Sequence, residues 1–169
     1  MEEPVVARQQ LWVMHWVMAA AFTILFITGI YMTGLPTAAT ERGSYYAFHK
    51  SMGVLVMFLL TARIVAVLRT NPVQGKNWLS TALLHGSLYL FMVFVPLSGY
   101  FYSNTAGRSV AFFGLPLPDL FAANKPLAEL AGNVHGWLAY TFLAFITLHI
   151  LVHRKQISGY LRRWQRATT

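Results

Sequence analysis

The sequence predicts an all-α integral membrane protein, a four-helix bundle with both termini in the cytoplasm. Three observations carry that expectation. The chain of 169 residues is 56% hydrophobic and only 11% charged, against roughly 25% charged in a soluble domain. Its apolar residues fall into four runs, at about 11–32, 49–68, 79–102 and 134–153. Each run is near the roughly 20 residues needed to cross a hydrocarbon core of about 30 Å. A soluble fold with four such runs in so short a chain would have no polar exterior left. The third observation is the placing of the basic residues. Arg8, Arg63, Arg69, Lys76, Arg154, Lys155, Arg162, Arg163 and Arg166 lie on the side shared by both termini, and Arg42, Lys50, Arg108 and Lys125 on the other. Nine against four puts the termini in the cytoplasm by the positive-inside rule.

The elements follow in order. The first run opens on LWVMH and is followed by Gly34 and Pro36. The preceding MEEPVVARQQ lacks the basic start and small-residue cleavage site of a signal peptide, so the run is read as a retained span. Asn71-Pro72 and Gly75 close the second run. The third carries Pro96, a kink that neighbouring helices make tolerable in a membrane. The connection 103–132 holds Pro116, Pro118 and Pro126 as breakers, and its apolar stretch VAFFGLPLPDLF reads as a short interfacial cap. The fourth run ends on LHILVHRK. Length allows one domain, 1–169.

Composition also excludes. The formal charge of +8 is accounted for by topology and attraction to anionic lipid, so no nucleic-acid partner is expected. The absence of cysteine removes disulfides, thiolate-ligated clusters and cysteine nucleophiles. The expected setting is a membrane, crossed several times.

All six histidines, His15, His49, His85, His135, His149 and His153, fall within or at the edges of the spans, where an ionisable residue is a functional candidate by default. His135 and His149 are 14 residues apart, so a rise of about 1.5 Å per residue separates them by roughly 21 Å, with directions within about 40°. One helix therefore offers one imidazole near each membrane surface, which suits two cofactors stacked across the bilayer. His49 is level with His135, and His15 with His149. The expected pairs are His49/His135 and His15/His149, each closing both axial positions of a haem. His85 lies at a depth similar to His15 and is the alternative inner ligand. His153, one turn beyond His149, is placed at headgroup level, against a haem propionate or a quinone. Helix-to-helix hydrogen bonding is the plainer reading of both. Zinc or copper fits less well, since no carboxylate accompanies the pairs and no HExxH spacing occurs. A proton relay would call for Asp or Glu within the spans, and Glu41, Asp119 and Glu129 are all in connections. Gly29, Gly53, Gly86, Gly99 and Gly136 would let flat rings approach, but helix packing explains most of them as well.

Around these residues the chain resembles the bacterial cytochrome b561 family, whose relatives include the cytochrome b subunits of nickel–iron hydrogenases and formate dehydrogenases. The resemblance covers essentially the whole chain and rests on LWVMHWVMAAAF, YAFHKSMGVLVMFLLTARI, HGWLAYTFLAFITLH and the connecting FFGLPLP. It implies the same two pairs of ligands to two haem b groups. The compact length looks most like stand-alone members such as superoxide oxidase, which implies electron transfer from superoxide on the outer side to ubiquinone.

Two functions are carried forward. In the first the protein is an oxidoreductase of superoxide and ubiquinone, with Lys50 and Arg108 steering the anion toward the outer haem. In the second it is a non-catalytic cytochrome b subunit linking quinone to a dehydrogenase or a periplasmic redox partner. The quinone is expected near the cytoplasmic haem, with His85, His153, Arg63 and Trp78 as candidate propionate or quinone contacts. Snorkelling to the interface is the simpler account of Arg63.

Overall fold

A computed structural model describes the backbone of residues 3–69 and 78–168 and the side chains of 9–69 and 82–154. Four long helices make up the molecule: α1 (Glu3–Gly34), α2 (Arg42–Leu68), α3 (Trp78–Thr105) and α4 (Lys125–Thr168). All four are long and apolar enough to cross a membrane. Helices are what such runs must form, because hydrocarbon offers the backbone no other hydrogen-bonding partner. Hydroxyls inside the spans obey the same rule: Thr23, Thr61, Thr141 and Thr147 each donate to the carbonyl four residues back.

Successive helices run antiparallel, so the ends of α1 and α4 that carry the chain termini lie together. They form the terminal end of the bundle, and the opposite end is the hairpin end. The shared core holds Met18 and Phe22 of α1, Val56 and Leu60 of α2, Leu88 of α3 and Phe142 of α4. Phe142 is fully buried. Its ring meets those of Phe22, Phe26 and Phe91 at 5.1–5.8 Å. It is seven residues from both His135 and His149, so an aromatic layer separates the two ends of the bundle. The outward faces are apolar too, with Ile27, Phe58, Leu83, Leu90 and Leu151 exposed, as lipid contact requires. Trp12 and Trp16 near one end and Trp137 and Tyr140 near the other are also exposed, in the manner of interfacial aromatic belts.

The connection before α4 differs from that read in the sequence. Pro126 does not interrupt a connection; it sits in the first turn of α4, where its missing N–H costs nothing. Asn124 caps that turn, its Oδ1 accepting the Leu127 N–H at 3.1 Å. The connection is therefore shorter, 106–124, and holds a small antiparallel hairpin, β1 (Ala111–Phe112) and β2 (Leu115–Pro116). Asn104, almost fully buried, organises it. Its Nδ2 donates to Asp119 and its Oδ1 accepts from the Leu120 N–H.

Candidate haem sites

At the hairpin end, His49 of α2 and His135 of α4 face each other with ring centres 6.5 Å apart. At the terminal end, His15 of α1 and His149 of α4 stand 6.2 Å apart. An ion between two imidazoles needs a nitrogen bond of about 2 Å and about 1.1 Å from nitrogen to ring centre on each side, about 6.2 Å in all. Both pairs have that opening.

The hairpin-end imidazoles are also oriented. Thr28 Oγ1 lies 3.2 Å from His49 Nδ1, and its own hydrogen is directed at the Ile24 carbonyl, 2.8 Å away. The hydroxyl oxygen therefore accepts from Nδ1–H. His135 Nδ1 lies 3.1 Å from the Val95 carbonyl, which can only accept, and 3.0 Å from Ser98 Oγ. Both rings carry their proton on Nδ1 and leave Nε2 as the free ligand atom, the arrangement that second-shell partners give to metal-binding histidines.

Beside each hydroxyl is a glycine that makes room for the ring. A Cβ at Gly99 would meet His135 Cε1 at 2.9 Å, and one at Gly29 would meet His49 Cε1 at 3.2 Å. These two glycines serve the imidazoles and not helix packing. Thr28-Gly29 and Ser98-Gly99 are thus equivalent cradles, one on α1 for the histidine of α2, the other on α3 for that of α4. A recurring hydroxyl–glycine dipeptide one helix away from each histidine was the available sequence signal.

Between the helices at this end is a cavity of about 700 Å³ lined by both histidines, Gly53, Arg42, Lys50 and Arg108. Among the described residues, the buried Arg42 Nε has no hydrogen-bond partner; Arg42 Nη2 bonds the Tyr46 hydroxyl at 3.4 Å. An unpartnered guanidinium N–H against a cavity suits an acidic group such as a propionate. Lys50 Nζ donates to the Ser109 carbonyl at 2.7 Å.

The terminal end is more crowded. His85 and His153 join His149, with ring centres 5.2 and 4.7 Å from it and 5.7 Å from each other. Ligand atoms of these three lie within 4.8 Å of one another, so they could gather round one ion only by drawing His149 from His15. The His85–His149 spacing is about 1 Å shorter than the opening an axial pair needs. Arg63 does not snorkel: its Nε donates to the Tyr89 hydroxyl at 3.0 Å and its Nη1 to the Leu11 carbonyl at 3.1 Å. The Trp78 side chain lies outside the described residues.

Residues 7–158 match the family model for prokaryotic cytochrome b561. The chain belongs to that family. It is 28% identical over 145 residues to cytochrome b561 homolog 2 of Escherichia coli (strain K12), an alignment covering 80% of this chain and 76% of that protein. To cytochrome b561 homolog 1 of the same organism it is 22% identical over 132 residues, covering 72% and 73%. Family and helices together make it a multi-pass inner-membrane protein that binds haem b and transfers electrons across the membrane. The spaced imidazoles, the glycine clearances and the unpartnered Arg42 Nε fit such a group.

Proposed function

We propose that this cytochrome holds two b haems, one between His49 and His135 and one between His15 and His149, and carries electrons from superoxide to ubiquinone. The observation that supports the pairing best is the repeated opening of 6.5 and 6.2 Å between imidazoles at opposite ends of the bundle. Bound haem supplies the one-electron redox chemistry. The chain's part would be to hold each haem between two imidazoles and, at the hairpin end, to fix the ligating nitrogens through Thr28, Ser98 and Val95.

In this reading the terminal end faces the cytoplasm, as the basic residues indicate. The hairpin end then meets the donor. Arg42, Lys50 and Arg108 line its cavity, giving a positive approach for a small anion. Two superoxide ions each give up one electron and leave as dioxygen. One quinone takes both electrons and two protons at the terminal end, where His85 and His153 would hydrogen-bond it and pass protons. Arg63, engaged with Tyr89 and Leu11, holds that end together, and Trp78 remains a candidate contact.

The test is superoxide-driven ubiquinone reduction by the purified protein in liposomes, measured against ionic strength. The rate is expected to fall with salt, and to fall further in Lys50→Gln and Arg108→Gln. A salt-independent rate equal in both variants would remove superoxide as the steered donor. Co-purification with a dehydrogenase in mild detergent would favour the linking-subunit reading instead.

A further inference from the structure

The hairpin between α3 and α4 has the wrong turn residue for water. Its two central positions, Phe113 and Gly114, both have positive φ, 47° and 96°. A two-residue turn of this kind is normally built from Asn, Asp or Gly, and a bulky aromatic in the left-handed region is strained. The strain persists in a residue that is 57% exposed, so packing within the chain does not account for it. From Ala111 to Pro118 there is no charged side chain, and Leu115 is exposed beside Phe113.

The hairpin is also held low on the bundle. The Ser51 hydroxyl of α2 accepts the Phe113 N–H at 3.1 Å and lies 3.0 Å from the Ala111 carbonyl. The Phe112 ring meets that of Phe58, 5.6 Å between centres. Phe58 is exposed on the outer face of α2, within a stretch that has no charge between Lys50 and Arg63. It lies about 10 Å further along the helix than Ser51. The hairpin thus continues the lipid-facing surface of a span. Much of its backbone is paired there: β1 and β2 pair with each other, Leu117 N–H bonds Val110 O, and the Phe113 N–H of the turn bonds Ser51 Oγ. Non-helical backbone reaches membrane depth only where it is held against protein, as Ser51 and Phe58 hold this segment against α2.

We propose that the β1–β2 hairpin dips into the lipid leaflet at its end of the bundle, with the Phe113 and Leu115 side chains among the acyl chains. An apolar patch of this kind needs a partner, and its continuity with Phe58 names lipid as that partner. Ser51 and Phe58 are the seats, and Lys50, bonded to Ser109 just before the hairpin, marks the water boundary.

Because the chain has no cysteine, single thiols can be placed without background. Phe113→Cys, Leu115→Cys and, as an aqueous control, Ala122→Cys are reconstituted at one chain per nanodisc and exposed to a charged, membrane-impermeant maleimide. Reaction at 113 and 115 is expected to be at least about tenfold slower than at 122, since an apolar setting suppresses the thiolate. All three should label equally after denaturation. Labelling of 113 and 115 at the rate of 122 would overturn the proposal, whether the hairpin stands in water or is shielded only by a second protein. Phe113→Asn gives an independent sign. In lipid the melting temperature of the holoprotein should fall, because the inserted ring is lost. A rise, as relief of strain alone would give, would contradict lipid seating.

Discussion

Gly99 leaves no room for a side chain, because a Cβ there would stand 2.9 Å from His135 Cε1, and His135 is tied to Val95 and Ser98 so that its ring cannot retreat. In the proposed two-haem arrangement, Gly99→Ala should therefore cost the hairpin-end haem, bringing haem content from two toward one per chain. Gly29→Ala, with 3.2 Å to His49 Cε1, should keep the haem and shift its spectrum. Haem counted per purified chain checks both; a Gly99→Ala protein with full content would show that the ring has freedom the contacts deny it. The histidines were legible in the sequence because an imidazole in a span is rare and depth follows from counting residues. The glycines were not, because the same small residue serves helix packing and ring clearance. Only the rotation of the neighbouring helix decides. It places Gly29 and Gly99 against rings, whereas a Cβ added at Gly53, Gly86 or Gly136 would meet nothing within 4 Å.

Among the elements, α1, α2 and α3 are joined at the terminal end by one side chain. Arg63 of α2 reaches the Tyr89 hydroxyl of α3 and the Leu11 carbonyl of α1, one turn from His15. Hydrogen bonds to a charged group contribute about 1.5–3 kcal/mol, so Arg63→Ala should destabilise the protein by about that much, with Tyr89→Phe losing a smaller share. Thermal unfolding in detergent measures it, and the haem proposed at the terminal end should be released first. An Arg63→Ala protein as stable as the parent would refute the clamp. The number and order of the helices were readable from hydropathy alone, since lipid imposes length and apolarity on every span. The start of α4 was not, because Pro126 breaks a helix in mid-course but is neutral in the first turn, and sequence alone does not say which applies. The hairpin was equally hidden: Phe113-Gly114 lacks the Asn or Asp that marks such turns in water.

For the molecule as a whole, two antiparallel helix pairs enclose one facing histidine pair at each end, and α4 contributes to both. His135 and His149 on that helix are spaced by 14 residues with Phe142 midway, so the aromatic layer that stabilises the bundle also separates the sites. This arrangement was largely legible, because the spacing fixes depth and direction together. The crowding of His85 and His153 around His149 was less so, since it depends on how far α3 leans toward α4. Two axial pairs are the centre of the proposed function. The most direct test is the haem content of the purified chain, with oxidised and dithionite-reduced absorption spectra taken on the same sample. Two low-spin b haems per chain are predicted. One haem would mean that a pair, first of all the one at the crowded terminal end, does not ligate iron as proposed, and none would contradict both pairs outright.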